Sequence, residues 1–413
     1  MEAQLEKVIT SVERAASSTD LNNEVRKLLY TKLELALLDA EGSSLVDNDG
    51  SIRNDDLEQR LKGVRKSIRL ISLDRPFRVW YWLDIWYRFV GVCTGFFTIS
   101  LLSLPIIALQ IVDDIVGSDP FHRISEYMRK FVAMFMLVLS GITYDTIGLD
   151  VTTQFAAPCV IYAFTHASNL DGLLVSSTCP VRHYALAKKE LFFVPFFSWI
   201  SFAIGGVPVD RGNRERAIGS LNRACAKAAS SKACIVMAPE GTRSKTGNLD
   251  VYKKGMFHMQ AQLDAPIVPF VIYGAFDLYP VGSWVNQCGH VAVRYLPPIM
   301  PKHADNRDEM RRLCRRRVLE ALSDTPAGVG SDLSAVQWLK CYVTNAANMY
   351  FVYKLLVWYS ELCMTNWGMS MGRMAGVTVA GTFAVTIALF LHFTYIVHLF
   401  APSSSSNKKE KEN

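Results

Sequence analysis

His166 and Asp171 stand in the segment Thr165-His166-Ala167-Ser168-Asn169-Leu170-Asp171, directly after the apolar run Pro158-Cys159-Val160-Ile161-Tyr162-Ala163-Phe164. A short run rich in β-branched and aromatic residues predicts a buried strand, and the small and polar residues after it predict a strand-to-helix turn. His166 is thereby placed where a sheet ends and a helix begins, the end at which open α/β sheets bind ligands. An imidazole with an unperturbed pKa of about 6.5 can take a proton at neutral pH, and a neighbouring carboxylate can fix its tautomer and stabilise the imidazolium. General-base chemistry is what this pair offers, with Asp171 as the orienting partner. The same residues would also make an ordinary helix cap, with Ser168 or Asn169 closing the first turn.

Three further stretches carry chemistry. In Gly205-Gly206-Val207-Pro208-Val209-Asp210-Arg211-Gly212-Asn213-Arg214, paired glycines, a strand and a basic turn follow one another. Arg211, with Arg214 and Arg216 opening the next helix, suits an anion, because guanidinium forks match phosphate oxygens in pairs; a surface pair between Arg211 and Asp210 is the plainer alternative. In Ala238-Pro239-Glu240-Gly241-Thr242-Arg243-Ser244, Gly241 permits close backbone approach, Thr242 and Ser244 offer hydroxyls and Arg243 a cation, so donors and charge could converge on a phosphate. Glu240 would repel that phosphate, so its expected work is to orient an arginine or to bond a substrate hydroxyl. In Asp264-Ala265-Pro266-Ile267-Val268-Pro269-Phe270-Val271, Pro266 and Pro269 flank a β-branched pair, suited to a strand start and the wall of an apolar groove, or to plain core packing.

The elements that must hold these stretches are short strands alternating with helices: strands at 184–187, 207–209, 233–237, 266–272 and 291–295, helices at 214–229 and 254–263. This alternation predicts an α/β fold.

At 413 residues the chain is long enough for two or three structural units, and its 50% apolar content suits a large core or a membrane. A net charge of +6 with 20% charged residues requires no polyanionic partner, so no nucleic acid is expected. Nine cysteines without a C-x-x-C pair fit reduced thiols, and no Cys and His fall at zinc-ligand spacing, so no metal is expected. Residues 1 to 75 are polar, with Leu5, Val8, Ile9, Val12 and then Leu28, Leu29, Leu33, Leu35, Leu37 and Leu38 at helical spacing; two or three amphipathic helices around a loop at 41–56 are predicted, and no secretory signal. Residues 76 to 148 are expected to associate with membrane. An aromatic and basic belt runs from Arg75 to Trp82, and the uncharged run 89–112 would span ~36 Å as a helix against a ~30 Å hydrocarbon core. Pro105 leaves a bent hairpin or a buried core helix as alternatives, and the run 131–142 is too short to span alone. The α/β domain is bounded at 149–325 and ends on a helix over 306–324, whose Arg311, Arg312, Arg315, Arg316 and Arg317 suit a solvated face or anionic headgroups. A linker and amphipathic helices fill 326–375, a transmembrane helix 376–400 and a polar tail 401–413.

Taken together, the ordered blocks HASNLD, GGVPVDR, APEGTRS and APIVPFV, with the lead-ins AKKEL and VYKKGMFHMQAQ, resemble the glycerolipid acyltransferase superfamily, closest to the 1-acyl-glycerol-3-phosphate (lysophosphatidic acid) acyltransferases. The resemblance covers roughly residues 160–279. It departs from the family pattern at Thr165, where Asn is common, and at Val207-Pro208-Val209, where an aromatic residue and Ile are usual. The fold it implies is an acyltransferase-type mixed sheet flanked by helices, with membrane-embedded helical segments on both sides. By this likeness His166 is the general base and Asp171 its partner; Arg211, Glu240, Gly241, Thr242 and Arg243 bind the acceptor phosphate; Pro266 and Pro269 lie on the acyl-donor side. The implied substrates are acyl-CoA and lysophosphatidic acid or a related lysophospholipid at a lipid bilayer, with no cofactor and no acyl-enzyme. Glycerol-3-phosphate or another lysophospholipid is the alternative acceptor, and a non-catalytic membrane scaffold the other class. Acyl-CoA implies a catalytic domain facing the cytosol, and Lys409 and Lys411 in the tail resemble a dilysine signal for the endoplasmic reticulum. A single crossing by 89–112 would put the domain on the far side from the N-terminus, which leaves the topology open.

Overall fold

Ile161, Tyr162 and Ala163 are all buried, as a near-continuous apolar run requires of a strand covered on both faces. They belong to a computed structural model that describes residues 2–17, 23–41, 46, 52–68, 79–116, 121–152, 159–203, 205–210, 212, 214–231, 233–283, 286–366 and 368–391. The helices are α1 Glu2–Ala16, α2 Asn23–Ala40, α3 Asp55–Ser67, α4 Val79–Val116, α5 His122–Leu139, α6 Asp171–Thr178, α7 Phe197–Ala203, α8 Arg214–Ser231, α9 Gly255–Leu263, α10 Ala275–Leu278, α11 Arg307–Leu322, α12 Ala335–Glu361 and α13 Met371–Leu391. The strands are β1 Ile142–Ile147, β2 Ile161–Phe164, β3 His183–Lys188, β4 Gly206–Val209, β5 Cys234–Met237, β6 Ile267–Tyr273 and β7 Gly289–Tyr295.

The chain divides into two units. The first (Met1–Gly95, Lys130–Tyr184, Leu221–Met349) holds strands in the order β1-β7-β6-β2-β5, all parallel neighbours except the antiparallel β6–β7 pair. The mixed sheet flanked by helices is thus present. Tyr162, Val236, Val268, Phe270, Val291 and Val293 form its core with Leu174 and Val175 of α6. β1 was not foreseen: Ile142-Thr-Tyr-Asp-Thr-Ile147 alternates too weakly to read as a strand, and only its parallel pairing with β7 defines it. The sheet therefore starts before residue 149, and the 131–142 run is the end of α5 followed by an edge strand.

The described residues before 76 form three helices, which enclose a core of their own from Leu5, Ile9, Val12, Leu33, Leu37, Leu57, Leu61 and Val64. The arginines of α11 have partners of their own in the chain. Arg315 Nη2 meets Glu34 Oε2 at 2.7 Å, Arg311 pairs with Glu41, Arg316 meets Asp39 at 2.5 Å, Arg312 donates to the Glu41 carbonyl and Arg317 to the Pro297 carbonyl. Glu34 also takes Arg65 of α3 at 2.7 Å. Charge on α2 is invisible as a partner for α11 because 281 residues separate Glu34 from Arg315 and 277 separate Asp39 from Arg316.

The second unit (Phe96–Arg129, Ala185–Ser220, Tyr350–Asn413) holds the parallel pairing of residues 185–188 of β3 with β4, and α13 lies against α7, with Trp199 Nε1 donating to Thr386 Oγ1 at 3.1 Å. Helix α4 runs unbroken through Pro105, so the bent hairpin is not found. Leu83–Asp113 and Met371–Leu389 are long and apolar enough to cross a membrane. Residues 75–78 of the belt, 392–400 of the last run and the tail with Lys409 and Lys411 lie outside the described residues.

Candidate active site

Sheet register brings the first and third motifs together. β2 and β5 are parallel neighbours with Ala163 opposite Met237, so His166 and Glu240, three residues beyond each, emerge side by side at the carboxyl edge. β6 flanks β2 on its other side with Ala163 opposite Pro269, which brings Ile272 level with His166. There the Thr165 hydroxyl, at the position where the family often has Asn, accepts the Ile272 N–H at 3.0 Å.

The turn after β2 folds around one carboxylate oxygen. Asp171 Oδ2 accepts the Ala167 and Ser168 N–H groups, each at 2.9 Å, and lies 2.7 Å from His166 Nδ1. Asp171 opens α6 with its side chain 1% exposed, whereas the imidazole is 25% exposed. A buried carboxylate with three donors holds Nδ1 as the protonated nitrogen. Nε2 then keeps its lone pair, and no described residue bonds it. The helix-cap alternative is realised only in part. Ser168 Oγ accepts from Leu170 N at 3.1 Å and donates to the Tyr279 carbonyl at 2.8 Å, while Asn169 bonds the Pro280 carbonyl; neither caps the first turn of α6.

Glu240 is 2% exposed, and its oxygens go to backbone: Oε1 accepts His166 N–H at 2.8 Å and Oε2 accepts Asp250 N–H at 2.9 Å. Through these bonds Glu240 braces the histidine from behind. Burial pushes its carboxyl up to about 8 against the two N–H donors, which favour the ionised form. From the same loop Ser244 N–H donates to the His166 carbonyl at 2.7 Å. His166 is therefore held by its ring, its N–H and its carbonyl.

Thr242 and Arg243 are exposed, and Arg243 Nη1 donates to the Asn169 side-chain oxygen. Gly241 has φ +70°, and a Cβ there would stand 2.9 Å from Lys253 Cδ and 3.2 Å from Nζ. The Lys253 ammonium thus borders this loop, a cation the motif reading passed over although it stands in the VYKKG lead-in. Arg211 lies outside the described residues; its neighbour Asp210 pairs with Lys189 at 2.6 Å within the second unit. Pro266 and Pro269 are not brought to His166. Both are buried in the sheet, upstream of Ile272 by six and three residues, or ~20 and ~10 Å at ~3.3 Å each. Pro269 is tolerated because its carbonyl accepts Leu296 N–H, so its ring nitrogen faces that same side, just before the β6–β7 ladder begins at Phe270.

A cleft of about 500 Å³ opens beside the pair, lined by His166, Asp171, Glu240, Asp277 and, from α2, Lys27. Lys27 Nζ lies 3.6 Å from Asp277 Oδ2; no motif signalled either residue. Among the described residues no cluster of His, Cys, Asp and Glu could hold a metal ion.

Residues 149–273 match the family model described as Acyltransferase. Curated relatives include the 1-acyl-sn-glycerol-3-phosphate acyltransferase of Limnanthes douglasii, 33% identical over 42% of this chain and 63% of the relative, and that of Saccharomyces cerevisiae, 32% identical over 43% and 61%. The chain thus spans under two thirds of the length of these relatives. A solved structure, the 1-acyl-sn-glycerophosphate (LPA) acyltransferase PlsC from Thermotoga maritima, aligns at a TM-score of 0.41 with 24% identity over 54% of this chain and 94% of that one. Residues 149–273 are thus similar to the Acyltransferase family and to the corresponding part of these 1-acyl-sn-glycerol-3-phosphate acyltransferases.

Proposed function

We propose that this chain transfers a fatty acyl group from acyl-CoA to the sn-2 hydroxyl of 1-acyl-glycerol-3-phosphate, giving phosphatidic acid and coenzyme A. The observation that carries the reading is the 2.7 Å His166–Asp171 contact, which leaves Nε2 as a base. Nε2 takes the hydroxyl proton as that oxygen attacks the thioester carbonyl. The tetrahedral intermediate then collapses, the C–S bond breaks, and the imidazolium returns its proton to the leaving thiolate. Asp171 stabilises the imidazolium, and Glu240 positions His166 through its N–H. Arg243, Gly241 and Thr242 take the acceptor's phosphate, and Lys253 adds a cation at the same loop. The acyl-donor side is assigned to the cleft beside His166 rather than to Pro266 and Pro269.

The enzyme works at a bilayer, attached through α4 and α13. Tyr30 and Glu34, which precede α4, bond Leu249 and Arg315, which follow it. Those contacts support a reading in which both lie on one side of the membrane and α4 does not cross alone. We assign that side to the cytosol, where acyl-CoA is available, and the membrane to the endoplasmic reticulum; fractionation and protease protection of tagged chain test both.

The deciding experiment supplies membranes containing the wild type or His166→Ala with labelled oleoyl-CoA and, separately, lysophosphatidate, glycerol-3-phosphate and lysophosphatidylcholine. Phosphatidate from the first acceptor alone, lost in the variant, is expected; general-base help is worth roughly 10²–10⁴ in rate. Transfer to another acceptor would replace the substrate and keep the mechanism. Transfer to none would favour a scaffold.

A further inference from the structure

The N-terminal helices, which acyl transfer leaves without a task, reach the catalytic turn through one continuous line of bonds. Lys27, Tyr30 and Glu34 recur at i, i+3 and i+7 on α2 and so share one face. Lys27 meets Asp277 at the cleft and Glu34 meets Arg315. Between them Tyr30 Oη donates to the Leu249 carbonyl at 2.6 Å. That carbonyl and the Asp250 N–H belong to one peptide unit, which is planar and rigid, so fixing the oxygen fixes the direction of the N–H. The Asp250 N–H donates to Glu240 Oε2 at 2.9 Å, and Glu240 Oε1 accepts the His166 N–H at 2.8 Å.

We propose that Tyr30 is a positioning residue for the acyl-transfer reaction: its hydroxyl sets the Leu249–Asp250 peptide plane, that plane sets Glu240, and Glu240 sets the backbone of His166. The N-terminal helices are thereby part of the catalytic unit, an assignment that rests on the acyl-transfer reading. Small errors in the placement of a base are costly in rate, because attack needs near-contact geometry. Substrate affinity should be little affected, because the residues lining the cleft are all retained in a Tyr30 variant.

Tyr30→Phe removes the hydroxyl alone and fills the same space. In the full-length protein, assayed with oleoyl-CoA and lysophosphatidate, kcat is expected to fall about three- to tenfold, the scale of one hydrogen bond. Both KM values should stay within about twofold. The control is Asp39→Asn, which weakens the docking of α2 at α11 instead, at a site where Asp39 is 67% and Arg316 45% exposed; its kcat should match wild type. Wild-type kcat in Tyr30→Phe, a rise in KM alone, or an equal loss in Asp39→Asn would each overturn the proposal, the last by reducing the effect to docking. A wild type that acylates no acceptor would instead sink the acyl-transfer reading, and the proposal with it.

Discussion

Replacing Asp171 by Asn separates charge from shape at the heart of the site. The amide oxygen can take over the three donors that Oδ2 now accepts, the Ala167 and Ser168 N–H groups at 2.9 Å and His166 Nδ1 at 2.7 Å. Fold stability should therefore change by no more than about 1 kcal/mol, the scale of a neutral for a charged acceptor. The rate should respond far more. At 2.7 Å and an effective dielectric of about 20, a full imidazolium–carboxylate pair is worth ~6 kcal/mol. With about half a charge on the imidazole in the transition state, ~3 kcal/mol of stabilisation is lost, or about 10²-fold in kcat. The assay is the initial rate of labelled phosphatidate formation under saturating substrates, paired with thermal unfolding in the same detergent. A variant within threefold of wild type would refute the assignment of His166 as base and Asp171 as its partner. A tenfold loss accompanied by a collapse in melting temperature would show that Asp171 matters for the turn alone.

Arg243→Ala should raise the KM for lysophosphatidate about tenfold with kcat nearly unchanged, since one exposed cation facing a phosphate contributes to ground-state binding; a lowered kcat at constant KM would contradict that. Glu34→Ala leaves Arg315 and Arg65 without the carboxylate they share, and breaking a buried ion pair from one side costs about 3–5 kcal/mol; a melting temperature lowered by roughly 10 °C is expected, and an unchanged one would mean the N-terminal helices do not hold the domain. Burial keeps the Glu240 carboxyl at about 8 against its ordinary 4.5, so the folded chain retains a proton that the unfolded chain releases. That stability is complete below about pH 4.5 and is lost as pH rises toward 8. Glu240→Gln cannot titrate, and the gap between its melting temperature and the wild type's should shift across this window; a constant gap refutes the assignment.

The histidine turn was legible in the residues themselves because its signals are local: an apolar run, then small and polar residues, then a carboxylate placed to start a helix. The same locality explains the errors. β1 carries too little apolar alternation to announce itself, and its existence depends on β7, more than 140 residues later. Glu240 reads as a member of an anion loop, yet parallel register turns it onto the His166 N–H. Pro266 and Pro269 fit a groove wall or plain core packing equally in the sequence, and only the sheet shows them buried.

What the amino-acid sequence determined by itself was the α/β alternation, the His166–Asp171 pair, the two long apolar helices and the helical character of residues 1 to 75, all set by periodicity and short-range chemistry. What only the tertiary structure decided was partnership. Glu34 and Glu41 neutralise arginines 281 and 270 residues away, Lys27 enters the cleft, and Tyr30 bonds the loop that reaches His166 through Glu240. Such contacts are made by burial and by sheet register, and neither is encoded within the span over which a side-chain pattern can be read.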